Sequence, residues 1–261
     1  MAAEQLQSGN EPTGNAYLLS RRKRGLDVAL SGAAVAPGWA MERLLRLYLD
    51  RVLDQGKPYY NDIRLGGGPD GTRTRKLRTM NHVKGHEAVD PNDLFSENNP
   101  RIPTKLVEII RRSRADELPQ VRQVLKGEMS FVGIRPVSDR YFEEVRDHVG
   151  AQDALKWEKL LKSPNVPAGI TSLATVAIMK QNASKLGDYA PLRVEYDLRY
   201  PEVASFSTDM RIFYQSIGQT VLSVVRRSDT EKTPAEENYG EPVETLLEAA
   251  MAAEPSDQAT P

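Results

Sequence analysis

The uncharged run from Val28 to Met41 restricts the fold more than any other feature of this chain: it is fourteen residues long and contains Pro37-Gly38. A bilayer-spanning helix needs about 20 apolar residues, so a run this short belongs to a re-entrant or interfacial segment, or to a helix buried in a core. Proline removes a backbone donor and crowds the preceding turn, which predicts two helical pieces between Gly25 and Asp50. Arg21-Arg22-Lys23-Arg24 precedes the run. This basic cluster starts late and Pro37-Gly38-Trp39 is a poor cleavage site, so no cleavable signal peptide is expected. The second piece, Trp39 to Leu53, sets Arg43, Arg46 and Arg51 among Leu44, Leu45, Leu47, Tyr48 and Leu49. That pattern suits a basic amphipathic helix on a membrane surface and equally a core helix with a solvated basic face; the residues leave both open.

Composition narrows the chemistry. With 27% charged and 39% apolar residues the chain is too polar for a multi-span membrane protein, and 261 residues suit one catalytic domain with appendages. There is no cysteine, which excludes disulfides, thiolate nucleophiles and cysteine-held metal centres and fits a reducing, cytosol-facing location. With only His82, His86 and His148, any metal would be a hard cation on carboxylates and phosphates. The net charge of −1 conceals an asymmetry: residues 228–261 hold nine acids and one lysine, leaving 34 Lys/Arg against 27 Asp/Glu in the rest. A basic body of this kind attracts anions.

The expected organisation is α+β and helix-rich: a disordered N-terminus over residues 1–19, a proline-broken re-entrant or interfacial helix over 20–53, a compact helical catalytic domain over 54–227 and a disordered acidic tail over 228–261. Lys57 to Met80 reads as a short β-hairpin around the turn-rich centre Gly66-Gly67-Gly68-Pro69-Asp70-Gly71. No Gly-Lys-Ser/Thr follows, so the glycines are not a nucleotide-binding Walker loop. Leu94 to Asn99 reads as a loop. Thr104 can cap a helix reaching about Ala115, with Leu106, Val107, Ile109 and Ile110 on its apolar face and Arg111, Arg112 and Arg114 in its last turn. Pro119 then ends that helix or opens the next.

Asp116 and Glu117 stand at this junction. On a regular helix adjacent side chains point about 100° apart; at a junction, one carboxylate can address a reacting atom while the other holds a cation beside it. That division suits phosphoryl chemistry, with a carboxylate nucleophile and Mg²⁺ neutralising phosphate charge. A salt-bridged helix end would present the same two residues.

The run Arg111-Arg112-Ser113-Arg114-Ala115-Asp116-Glu117-Leu118-Pro119-Gln120, continuing through Lys126-Gly127-Glu128-Met129-Ser130-Phe131-Val132-Gly133-Ile134-Arg135-Pro136, resembles the central signature of the bacterial sugar transferase family. These are monotopic polyprenyl-phosphate phosphoglycosyl transferases that begin exopolysaccharide, O-antigen and glycan assembly. Lys23-Arg24-Gly25-Leu26-Asp27 with Pro37 is similar to the family's basic entry into a proline-broken helix. Tyr59-Tyr60, Arg64, Gly66 and Lys76-Leu77-Arg78-Thr79-Met80 resemble its aromatic pair, Arg-x-Gly and Lys-Phe-Arg-(Thr/Ser)-Met motifs. Asn99-x-Arg101-Ile102, Pro167-Ala168-Gly169-Ile170-Thr171-Ser172-Leu173 and Glu195-Tyr196-Asp197-x-x-Tyr200 resemble three further segments. The chain differs from the pattern at Ala36, Ile134, Ala168 and Ser172, where the family generally has serine, proline, no inserted residue and glycine.

The resemblance implies that Asp116 attacks the sugar-proximal phosphate of a nucleotide-sugar donor, expelling nucleoside monophosphate, and that polyprenyl phosphate then collects the phosphosugar. Glu117 matches the family's Mg²⁺-associated carboxylate and Gln120 lies in the same motif. Because a guanidinium can bind two phosphate oxygens at once, Arg78, Arg112 and Arg135 are candidate phosphate contacts, with Lys76 as a point charge. The implied location is the cytoplasmic face of the bacterial inner membrane, bound to its surface as a monotopic or peripheral protein. The alternative is a divergent relative serving as a membrane-associated binding or scaffold component. A nucleic-acid partner is not expected: no recognition motif is present, and adjacent acids would repel a phosphate backbone.

Overall fold

The computed structural model describes residues 15–54, 56–81, 101–181 and 186–225. The loop expected at Leu94 to Asn99, the acidic tail and the first fourteen residues lie outside the described residues.

Helix α1 runs from Arg21 to Val52. Ser20 caps its N-terminus by accepting from the Lys23 amide, and the helix continues through Pro37 without the division into two pieces that proline predicts. Its stabilisation is tertiary, and four of its five buried residues are polar: Lys23, Asp27, Ser31 and Glu42 face the protein together with Leu49. Lys23 Nζ donates to Asp209 (2.6 Å) and to the Val132 carbonyl (2.8 Å). Asp27 accepts from Ser130 Oγ and the Phe131 amide. Arg24 donates to the Val124 and Leu125 carbonyls, and Glu42 accepts from Arg122 and Tyr59. These bonds hold the helix at intervals on both sides of Pro37 and offset the backbone bond that proline forfeits. Ordered structure begins before α1: Leu18 is buried, Asn15 donates to the Ala204 carbonyl and Tyr17 to Asp209, so the N-terminal segment expected to be disordered up to residue 19 is packed from Asn15 onward.

The expected hairpin is present. Strand β1 (Tyr59–Arg64) pairs antiparallel with β2 (Thr72–Leu77), from Tyr59 opposite Leu77 to Arg64 opposite Thr72. Helix α2 (Lys105–Arg112) is capped by Thr104, whose side chain accepts from the Val107 amide. A single 3₁₀ turn (Ala115–Glu117) leads into α3 (Gln120–Lys126), with Pro119 at its N-cap. Strand β3 (Ser130–Val132) then pairs in parallel with β4 (Gly169–Thr171), and between them lie α4 (Asp139–Arg146) and α5 (Ala151–Leu161). The parallel pair was not expected; runs of three residues are too short to show strand periodicity. Helices α6 (Leu173–Lys180), α7 (Leu186–Val203) and α8 (Phe206–Val225) complete the fold.

The main core gathers Val124, Phe131, Ile134, Phe142, Trp157 and Leu173 with residues of α7 and α8. A smaller one, Leu49, Leu77, Val107 and Ile110, joins the end of α1 to the hairpin and α2. Ala115 packs against the smaller core, and Val121 and Val124 of α3 belong to the main one. The 3₁₀ turn therefore bridges the two. No described helix is long and apolar enough to cross a membrane.

Candidate active site

The site is built on the turn that ends α2. Ser113 closes that helix and Arg114 takes the left-handed conformation, φ 54° and ψ 22°, which redirects the chain into the 3₁₀ turn. The Glu117 amide then donates to the Arg114 carbonyl at 3.0 Å. Both carboxylates are inside: Asp116 is 8% and Glu117 5% exposed.

The two acids have opposite surroundings. Glu117 accepts from Lys76 Nζ at 2.6 Å and from both terminal nitrogens of Arg135. Burial alone would raise its pKa, but the charges of Arg135 and Lys76 outweigh it and hold the carboxyl well below the usual range. No donor among the described residues bonds the Asp116 carboxylate. Its pKa is pushed up to about 6 by burial and by the neighbouring Glu117 charge, against the opposing pull of Lys76, Arg111 and Arg135. A pKa of about 6 leaves Asp116 ionised at neutral pH, and its lone pairs are not committed to a donor among the described residues.

Each cation is positioned by a different element. Lys76 comes from β2, and burial lowers its pKa while Glu117 opposes that shift. Arg135, just beyond β3, donates to the Ile170 carbonyl of β4 at 2.6 Å, while Arg193 of α7 donates to the Arg135 carbonyl. Arg193 is paired with Asp197 at 2.6 Å, and Trp157 Nε1 donates to the same carboxylate at 3.0 Å. The parallel strands and α7 thus fix the guanidinium that neutralises Glu117. Gln120 is buried one turn after the acids.

Two expected phosphate contacts are engaged elsewhere. Arg78 bonds the Asp54 side chain and backbone and the Lys57 carbonyl (3.1 Å), joining the end of α1 to the hairpin. Arg112 pairs with Glu108 at 2.9 Å along α2. The arginines that act electrostatically on Asp116 are Arg111 and Arg135, and Arg114 lies in the field of both acids. Helical phase carried that signal for Arg111, which follows buried Val107 by four residues, whereas Arg112 shares a face with Glu108; Arg114 lies beyond the helix and is placed by the left-handed turn.

The departures from the family pattern have structural work. Ile134 and Ala168 form a parallel bridge: the Ile134 amide donates to Pro167 at 3.0 Å, and the Ile134 carbonyl accepts from Gly169 at 2.8 Å. A proline at 134 could not make the first of these bonds. Ser172 caps α6 by accepting from the Thr175 amide at 3.0 Å.

Among the described residues, no group of three or more His, Cys, Asp or Glu could hold a metal ion. Mg²⁺ characteristically uses one or two protein carboxylates together with substrate phosphates. Asp116 and Glu117 do not form a cage for a lone ion, and both Glu117 oxygens accept from Lys76 and Arg135, so a cation arriving with a phosphorylated ligand would share Glu117 with them.

A sequence model described as bacterial sugar transferase matches residues 19–223. Over 150 residues the chain is 33% identical to a protein of Haemophilus influenzae named "Uncharacterized sugar transferase", covering 51% of this chain and 31% of that one. It is 29% identical over 214 residues to the exopolysaccharide production protein ExoY of Rhizobium meliloti, covering 77% and 86% respectively. With the UDP-glucose:undecaprenyl-phosphate glucose-1-phosphate transferase of Escherichia coli it shares 28% over 167 residues, 64% of this chain and 33% of that protein. The chain therefore spans about a third of the Haemophilus and Escherichia relatives and most of the Rhizobium one. A match running from the turn before α1 into the last turn of α8, with the paired acids inside it, makes this chain a member of the bacterial sugar transferase family.

Proposed function

We propose that this protein transfers a sugar 1-phosphate from a nucleotide-sugar to polyprenyl phosphate in two displacements at Asp116. The observation that carries the reading is the division between the paired acids: Glu117 is neutralised by Lys76 and Arg135, and Asp116 is buried beside it without a hydrogen-bond donor among the described residues. Such an oxygen is a nucleophile, and its partner completes an electrostatic frame.

In the first displacement an Asp116 carboxylate oxygen attacks the sugar-proximal phosphorus. The bond from that phosphorus to the bridging oxygen breaks, and nucleoside monophosphate leaves with the electron pair. In the second, a phosphate oxygen of the polyprenyl carrier attacks the same phosphorus, and the acyl-phosphate bond breaks to restore the Asp116 carboxylate. Lys76, Arg111 and Arg135 offset the charge that gathers on the phosphoryl oxygens, in a buried setting where such interactions are strong. Mg²⁺ held by Glu117 and the substrate phosphates would add Lewis-acid stabilisation of that charge. The donor class follows the names of relatives that use UDP-sugars and undecaprenyl phosphate, and initiation of polysaccharide or glycan assembly is the role such a product serves.

Membrane-surface binding on the cytoplasmic face belongs to the same proposal. Helix α1 turns polar residues inward and leaves Val28, Trp39, Met41, Leu44 and Leu47 exposed, the distribution of a helix whose outer face meets lipid. Purified protein with Mg²⁺, a UDP-sugar and polyprenyl phosphate should release UMP; Asp116→Asn should lose turnover by a factor on the order of 10³ or more. Full turnover by that variant would remove Asp116 from the chemistry.

A further inference from the structure

Arg114 takes no part in the reaction as written, yet it is the most unusual residue of the site. It is the only non-glycine residue with a positive φ among the described residues, a conformation that disfavours any side chain with a Cβ. Its Nη1 is closed off from solvent and has no acceptor among the described residues. Burying a charged donor without a partner is costly, and local strain of this kind persists where a site holds a ligand.

The surroundings indicate what the missing partner is. Asp116, Glu117 and Arg135 exert their charges on Arg114, and burial together with Arg135 brings its pKa down to about 10. Glu117 is already shared by Lys76 and Arg135, and Arg193 is matched by Asp197. Among the described residues, Lys76, Arg111, Arg114 and Arg135 act on the two acids Asp116 and Glu117, four cations against two carboxylates and so an excess of two positive charges. A phosphate monoester or a diphosphate linkage carries about that charge in the opposite sense.

We propose that Arg114 is a phosphate clamp whose Nη1 donates to a non-bridging phosphate oxygen of the ligand reacting at Asp116. This rests on the transferase reading, and the donor diphosphate and the acceptor phosphate present the same chemistry. A guanidinium fixed by the left-handed turn two residues before the nucleophile sets the distance between phosphorus and carboxylate. The strained backbone keeps the planar donor in place before substrate arrives.

The test compares the full-length wild-type protein with Arg114→Gly and Arg114→Lys. Binding of pyrophosphate and of a short-chain polyprenyl phosphate is measured by calorimetry, alongside melting temperature and UMP release. Glycine should weaken binding by roughly tenfold to a hundredfold while melting at or above the wild-type temperature, because it relieves both the backbone strain and the unpaired cation. Lysine should lie between. Loss confined to pyrophosphate assigns the clamp to the donor, and loss confined to polyprenyl phosphate assigns it to the acceptor. Unchanged affinity for both probes in Arg114→Gly, or a wild type that binds neither, overturns the proposal. A wild type that releases no UMP but binds pyrophosphate through Arg114 would sink the transferase reading and leave the clamp standing.

Discussion

Two neighbouring carboxylates in one buried turn acquire different properties because different elements meet them. Glu117 receives Lys76 from the hairpin and Arg135 from the parallel pair, while Asp116 receives charge without a hydrogen-bond donor among the described residues and is raised to about 6. The sign of the consequence is fixed. A nucleophilic carboxylate acts only when ionised, so kcat/KM for the donor should be level above about pH 7 and fall below pH 6, approaching tenfold per unit in more acid solution. A profile of UMP release with no acid limb between pH 5 and 7 would contradict Asp116 as the attacking group. That two adjacent acids stand at the junction after a helix capped by Thr104 was legible in the sequence, from local cap and proline signals. The arginines were less so: matched motifs and bidentate phosphate binding favoured Arg78 and Arg112, whereas helical phase brings Arg111, and the left-handed turn Arg114, toward the acids. A turn at φ 54° on an arginine leaves no residue-type signature, since glycine is the usual marker of that conformation.

At the scale of elements, α1 carries the lesson that hydropathy is not burial. Its fourteen-residue uncharged run suggested a break at Pro37 and a choice between lipid and core. The helix continues, and besides Ser31 and Leu49 it buries Lys23, Asp27 and Glu42, each held by a named partner on β3, α3, α8 or the hairpin. Reading this from sequence would require knowing those distant partners in advance. The hairpin and the Thr104 cap were legible because they depend on local turn and cap chemistry; the β3–β4 pair depends on a contact across some forty residues. Gly133 shows how tight that contact is, since a Cβ there would stand 2.2 Å from the Pro167 carbonyl oxygen. Ile134 extends it through its amide, so Ile134→Pro should remove the bond to Pro167 and destabilise the fold by about 1–3 kcal/mol. Urea unfolding should show a lower midpoint with an unchanged slope; an unshifted midpoint would mean that the pair tolerates proline and that the bridge to Ala168 contributes little.

Across the whole molecule, function depends on joining two cores. The smaller one sets the hairpin and α2, hence Lys76, Arg111 and Arg114; the larger one sets β3, β4 and α7, hence Arg135 and its support through Arg193, Asp197 and Trp157. The turn carrying Asp116 and Glu117 lies where they meet, so each acid draws on residues far apart in sequence. The same arrangement packs Leu30, Val35, Leu45 and Leu49 of α1 on the two cores and leaves Val28, Trp39, Met41, Leu44 and Leu47 exposed. The measurement that decides the matter is the intact mass of protein incubated with a UDP-sugar and Mg²⁺ in the absence of polyprenyl phosphate, followed by peptide mapping. The mass should rise by one sugar phosphate on the peptide carrying Asp116, return to its starting value when polyprenyl phosphate is added, and stay unmodified in Asp116→Asn. UMP release at full rate with no adduct at any time, or an adduct that survives the asparagine substitution, would contradict the two-step mechanism.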